Sequence, residues 1–319
     1  MAVYTEVAAE ELDALLERYA IGELSSCKGI AEGVENSNFL LGTDRAQFIL
    51  TLYEKRVHPE DLPFFLGLME HLAKSGVTCP TPVHDQEGRV LQTVAGRPAA
   101  IVTFLTGYAL QKPQPVHCRE LGAALATLHQ AGLSFPLERE NALSVAGWEK
   151  LYEAIEDDAG KLMPGMAQEI GAELAALREE WPGGLARGII HADLFPDNVF
   201  FLEGRVSGLI DFYFACNDLL AYDLAICMNA WCFETGHEFN VTKARALFNG
   251  YNAVRPLGAD EAAALPVLAR GSALRFLLTR LYDWFNTPQS AFVKRKDPME
   301  YWRKLKFHQG VKTPGAYGF

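Results

Sequence analysis

Between residues 190 and 212 the chain reads Ile190-His191-Ala192-Asp193-Leu194-Phe195-Pro196-Asp197-Asn198-Val199 and, past a Glu203-Gly204 turn, Gly208-Leu209-Ile210-Asp211-Phe212. No other stretch constrains the chain as much. An Asp and an Asn five residues apart on one loop point to two sides of one reaction centre. The short hairpin of strands 198–202 and 205–210 then returns a second carboxylate beside them. H-x-D-x-x-x-x-N followed by an apolar-Asp-Phe strand end supplies what phosphoryl transfer needs. Asn198 and Asp211 are hard oxygen ligands for Mg²⁺. Asp193 is placed to orient an acceptor hydroxyl and take its proton. His191 joins Asp193 as a catalytic candidate, holding the loop through a backbone or carboxylate hydrogen bond. Singly, each of these residues is explained as well by turn chemistry, which favours Asp, Asn and Pro; the complete spacing argues for a site.

The flanking sequence predicts an α+β chain. Leu12, Leu15, Leu16 and Tyr19 give helical spacing over 7–19. Strands follow at 35–41 and 47–53, split by a turn at 42–45. A helix at 62–74 ends at Ser75-Gly76, and strands at 90–92 and 99–104 flank a turn at 95–98. Beyond Gly107 the pattern turns helical, over 118–130, 147–157, 164–181, 221–232, 241–251, 260–268 and 272–285. The composition shift divides the chain into an N-terminal lobe at 1–102, a linker at 103–107 and a C-terminal lobe at 108–319. Residues 311–319 read as an unstructured tail.

With 319 residues, 49% of them apolar and 22% charged, the chain has ample material for a core. Its net charge of −11 counts against a nucleic-acid partner. Its densest cationic stretch, with Lys294, Arg295, Lys296, Arg303, Lys304 and Lys306, reads as a solvated helix or loop face. No run of 18 apolar residues predicts a membrane span, and the acidic residues 1–11 lack the pattern of a signal peptide. Six cysteines without a C-x-x-C pair read as free thiols of a cytoplasmic protein.

The catalytic segment resembles that of the aminoglycoside phosphotransferase and choline kinase superfamily, and Asp218 with Tyr222-Asp223-Leu224-Ala225 extends the likeness. The resemblance implies a bilobal protein-kinase-like fold with a small antiparallel-sheet N-lobe, and ATP with Mg²⁺ as cofactors. It gives Asp223 the task of tying down the catalytic loop, although an Asp there also suits a helix start. In Leu121–His129, His129 is taken as structural. Asn36, Ser37 and Asn38 lie where a phosphate loop would run, and a plain hairpin turn fits them nearly as well. Thr51 occupies the usual place of the phosphate-binding cation, with Lys55 as a substitute on the same strand face. Thr103 and Leu105 belong to the linker whose backbone would meet adenine.

Over nearly its whole length the chain resembles the homoserine kinases of this superfamily. The marks are Asn36-Ser37-Asn38-Phe39, Leu50-Thr51-Leu52-Tyr53-Glu54-Lys55, and 274–283 with Lys296-Asp297-Pro298. The likeness implies phosphorylation of a small-molecule substrate, L-homoserine, to O-phospho-L-homoserine for threonine synthesis; a monomer and a homodimer both fit the sequence. Arg275, Tyr282 and Asp283 share one helix face. There Arg275 would grip the substrate carboxylate and Asp283 its ammonium, or the two would simply support helix packing. Asp218 is placed with the same acceptor site. Two alternatives stay open: another hydroxyl acceptor such as choline, an aminoglycoside or a sugar, and a catalytically inactive binding protein on the same scaffold.

Overall fold

The computed structural model describes residues 5–30, 36–54, 57–235, 238–287 and 295–319. It divides into two units, Met1–Gly107 with Gly208–Tyr213, and Tyr108–Ser207 with Phe214–Phe319. The expected partition had no place for the return of 208–213 to the first unit.

In the first unit, α1 (Ala9–Leu16) is followed by β1 (Leu24–Gly29), β2 (Ser37–Thr43), β3 (Gln47–Leu52), α2 (Leu62–Lys74), β4 (Gln92–Val94) and β5 (Arg97–Thr103). The strands form one antiparallel sheet in the order β1-β2-β3-β5-β4. Along β3, Phe48, Leu50 and Leu52 alternate into a core with Leu12, Leu15, Leu16, Phe39, Leu41 and Ile101, while Thr51 points the other way. Each such buried aliphatic side chain contributes roughly 1.5–3 kcal/mol. The β4–β5 connection is shorter than expected. Ala95 (φ 48°) and Gly96 (φ 70°) form a two-residue turn whose double positive φ matches the twist of a hairpin.

The second unit carries β6 (Tyr108–Ala109), α3 (Pro115–Gly132), α4 (Val145–Glu153), α5 (Glu156–Leu162), α6 (Met166–Glu180), β7 (Arg187–Ile190), β8 (Val199–Leu202), β9 (Arg205–Leu209), β10 (Cys216–Leu219), α7 (Leu220–Trp231), α8 (Val241–Val254), α9 (Ala259–Asn286) and α10 (Pro298–Gln309). Strand β9 runs out of this unit into the first. Helices α3 and α8 meet backbone to backbone. A Cβ on Gly122 would lie 2.1 Å from the Leu247 carbonyl oxygen, and one on Gly250 would lie 1.9 Å from that of Arg119. Helix α7 is apolar nearly all round and correspondingly buried.

Three expectations are corrected here. The two helices at 260–268 and 272–285 are one helix, α9. Gly271, inside the expected gap, lets Trp181 pack against the helix, since a Cβ there would sit 2.3 Å from its ring. By length and composition α9 passes for a membrane span, but 72% of its apolar window is buried inside the protein. The cationic stretch is not simply a solvated face. Lys304 is 3% exposed, and its ammonium is bonded to the Asn229 carbonyl (2.9 Å) and to Glu300 (2.6 Å). Nor is the C-terminus a loose tail: Pro314–Tyr317 form a 3₁₀ turn, and the buried Tyr317 hydroxyl meets His308 Nδ1 at 2.7 Å.

Candidate active site

Strand β7, paired with β10, delivers the chain into His191-Ala192-Asp193. At that point the backbone leaves the sheet, and Ala192 takes a left-handed φ of 65°. Four non-glycine residues among those described have positive φ. Ala95 and Glu203 lie in two-residue hairpin turns; the other two are Ala192 and Asp211. Outside a turn such a conformation costs roughly 1–3 kcal/mol and persists only where its surroundings hold it.

At Ala192 the hold comes from both sides of the chain. The Asp223 carboxylate, in the first turn of α7, accepts the N–H groups of His191 (2.7 Å) and Ala192 (2.9 Å). It also faces His129 Nε2 at 3.2 Å, and His129 Nδ1 meets the Tyr251 hydroxyl at 2.8 Å. Burial acts to raise the Asp223 carboxyl, but the His129 bond and the loop amides outweigh it and keep the group below its usual value. On the opposite side the Arg275 guanidinium donates to the Ala192 carbonyl. The Trp231 indole donates to the Leu194 carbonyl at 2.8 Å. Asp193 is thus set on a backbone fixed at both neighbouring residues. Its own carbonyl accepts from Phe195 N–H (2.8 Å) and Asn198 Nδ2 (2.8 Å), and its carboxylate lies 3.3 Å from the same Asn198 nitrogen. Both side chains are half-buried. The Asn198 amide oxygen accepts no hydrogen bond among the described residues.

In the first unit, Asp211 (φ 66°) follows β9 and precedes the Phe212–Phe214 turn. Tyr213 fixes that turn by meeting the rings of Tyr53 (5.5 Å) and Phe65 (5.6 Å) edge-on. Burial pushes the Tyr53 phenol up to about 12. Leu105, past the end of β5, packs against Gly208, where an added Cβ would come within 2.6 Å of its Cδ1. Thr103 stays within the sheet, its hydroxyl accepting from Thr81 N–H at 2.9 Å.

Several side chains selected from the sequence are committed elsewhere. Ser37 is fully buried and donates to Glu54 (2.7 Å), Asn36 accepts the Glu54 N–H (3.2 Å), and Thr51 donates to Asn38 (2.8 Å). Donation to a phosphate by the Ser37 or Thr51 hydroxyl would break this internal network. Asn38 is half-buried, and its amide nitrogen has no acceptor among the described residues. Glu54, which also binds Thr5 (2.7 Å) and Arg97 (3.3 Å), is the hub that sequence reasoning missed. Lys55 lies outside the described residues.

Of the two readings open for Arg275, its contacts are those of an internal support. It is 1% exposed, stacks 4.5 Å over the Phe276 ring and is bonded to Ala192. His191 is buried, with Nδ1 facing the Asp193 N–H at 3.3 Å, so it acts on Asp193 through the backbone rather than on a reactant. Asp218 is likewise structural. Its carboxylate takes Asn141 Nδ2 (2.7 Å) and the Leu219 N–H (2.8 Å), locking β10 to the segment before α4. Tyr282 is 41% exposed, and Asp283 is half-buried near the end of α9. Asp283 lies eight positions beyond Arg275 on α9, a rise of roughly 12 Å.

The antiparallel-sheet unit, the helical unit and the Asp193-to-Asn198 loop together define a phosphotransferase of the protein-kinase-like fold. A family model described as "Phosphotransferase enzyme family" matches residues 26–257, and the chain belongs to that family. Among curated proteins it is 62% identical to a homoserine kinase from Paramagnetospirillum magneticum, covering 100% of this chain and 99% of that protein. It is 64% identical to a homoserine kinase from Rhodopseudomonas palustris, covering 100% and 98%. Solved structures share the fold at low identity. An amicoumacin kinase in complex with AMP-PNP and Ca²⁺ has a TM-score of 0.71 at 14% identity, over 95% of this chain and 94% of that one. A choline kinase from Cryptosporidium parvum has 0.68 at 15%, also over 95% and 94%.

Proposed function

We propose that this chain transfers the γ-phosphoryl group of ATP to the hydroxyl of L-homoserine, forming O-phospho-L-homoserine for threonine biosynthesis in the cytoplasm. The observation that carries this reading is full-length identity of 58–64% to proteins named homoserine kinase. In the proposed reaction Asp193 orients the homoserine hydroxyl and accepts its proton as the oxygen attacks phosphorus. Its support is the doubly anchored loop, which holds the carboxylate in place before substrate arrives. Leu105 in the linker is the candidate for adenine recognition, and the Asn38 amide for a phosphate oxygen.

Asn198 and Asp211 are the proposed Mg²⁺ ligands. An amide oxygen without a hydrogen-bond partner and a carboxylate suit a hard cation that completes its shell with phosphate and water. Bound there, the ion would neutralise phosphate charge.

The test is purified protein with Mg·ATP and a panel of L-homoserine, choline and kanamycin, with phosphorylated product followed by ³¹P NMR. Product is expected from homoserine alone. Turnover of choline or kanamycin without homoserine overturns the assignment.

A further inference from the structure

Arg275 is turned inward on Ala192 and is 1% exposed, so a carboxylate arriving from solvent would meet another group first. A cation stands beside the catalytic loop. Lys296 is exposed, and its ammonium lies 5.2 Å from the centroid of the Phe195 ring. Phe195 is the second residue after Asp193 and donates its N–H to the Asp193 carbonyl at 2.8 Å. The ring is itself wedged edge-on against Phe276 at 4.9 Å, so its position is set by α9.

Both neighbours of Lys296 are anchored. Arg295 donates to the Trp284 carbonyl at 2.6 Å and lies 5.4 Å from that ring's centroid. The Asp297 carbonyl accepts from Arg280 at 2.9 Å, and the Asp297 carboxylate caps α10 through the Met299 N–H at 2.9 Å. Arg280, Lys304, Arg270 and Arg255 of the same unit are each ion-paired with a glutamate. Lys296 has no ion-pair partner among the described residues, although its backbone is held in place. A cation with a fixed base, an aromatic face beneath it and no counter-ion suits a carboxylate that arrives with the substrate.

We propose that Lys296 recognises the α-carboxylate of the amino-acid acceptor and so separates amino acids from simple amino alcohols. This rests on the reading of the chain as a homoserine kinase. The probe is 3-aminopropan-1-ol, which is homoserine without its carboxylate. Wild-type protein is expected to favour homoserine over this alcohol. Lys296→Met should lower kcat/KM for homoserine by roughly 10–100-fold, the usual worth of a hydrogen bond to a charged group. It should leave KM for ATP and the rate on the amino alcohol unchanged, and Lys296→Arg should restore most of the preference. If Lys296→Met keeps the wild-type preference, or loses both acceptors equally, the proposal is overturned. Wild-type protein that never phosphorylates homoserine marks failure of the underlying function instead.

Discussion

Asp223 holds Ala192 by its N–H and Arg275 holds it by its carbonyl, and Asp193 is the next residue. Removing the arginine leaves the Ala192 carbonyl buried without its donor, at a cost of about 1–3 kcal/mol. Arg275→Lys keeps the charge but loses the planar fork and its stacking on Phe276. We expect kcat to fall roughly 10-fold or more, a loss of about 1.4 kcal/mol in transition-state stabilisation, with KM for ATP unchanged and a normal circular dichroism spectrum. A variant with raised KM for homoserine and normal kcat would return Arg275 to the substrate pocket. The spacing of His191, Asp193 and Asn198 was legible because it is local. The partners that matter to Arg275 were not, because the helix pattern gives a face and says nothing of what lies against it. Charge alone suggested a ligand where the fold uses the guanidinium to hold its own backbone.

Elements with a strong period were legible, and 62–74 coincides with α2. Strand β1 was missed for a physical reason: five of its six residues are exposed, so no alternation marks it. Helix α9 was read as two helices with a gap at 269–271, where the missing side chain of Gly271 makes room for Trp181. The same logic governs the α3–α8 contact. Gly250→Ala would drive a Cβ into the Arg119 carbonyl, and overpacking of this kind costs about 1–3 kcal/mol. A Cβ on Gly160 in α5 would meet nothing within 4 Å, so Gly160→Ala should stabilise by up to about 1 kcal/mol through helix propensity. Urea midpoints of the two variants should move in opposite directions; a neutral Gly250→Ala would mean that the helices separate at little cost.

Over the whole molecule, acid sensitivity has a buried source. His308 bridges Asn229 (2.9 Å) and Tyr317 (2.7 Å), and burial, with the nearby Lys304 ammonium, pulls its imidazole down to about 3. The folded value lies below the unfolded one, about 6.5, so the unfolded chain binds more protons between them. Stability is therefore fully present above about pH 6.5 and falls as pH drops towards 3, by up to about 1.4 kcal/mol per pH unit. Unfolding free energies at pH 7, 6 and 5 should show this slope, and His308→Gln should be less stable at pH 7 but flatter. Equal slopes in both proteins would remove His308 as the source. The composition change near residue 107 was visible in the sequence, whereas the later return of 208–213 was not. That return depends on Tyr213 finding Tyr53 and Phe65, a long-range meeting without local signature.

The same return bears on how the molecule can be cut. A fragment ending at residue 107 would carry the sheet but lack the tyrosine that plugs it, leaving the Tyr53 and Phe65 rings open to water. Truncation there should yield an aggregating polypeptide, and the N-terminal unit is not a portable module without its distant hexapeptide.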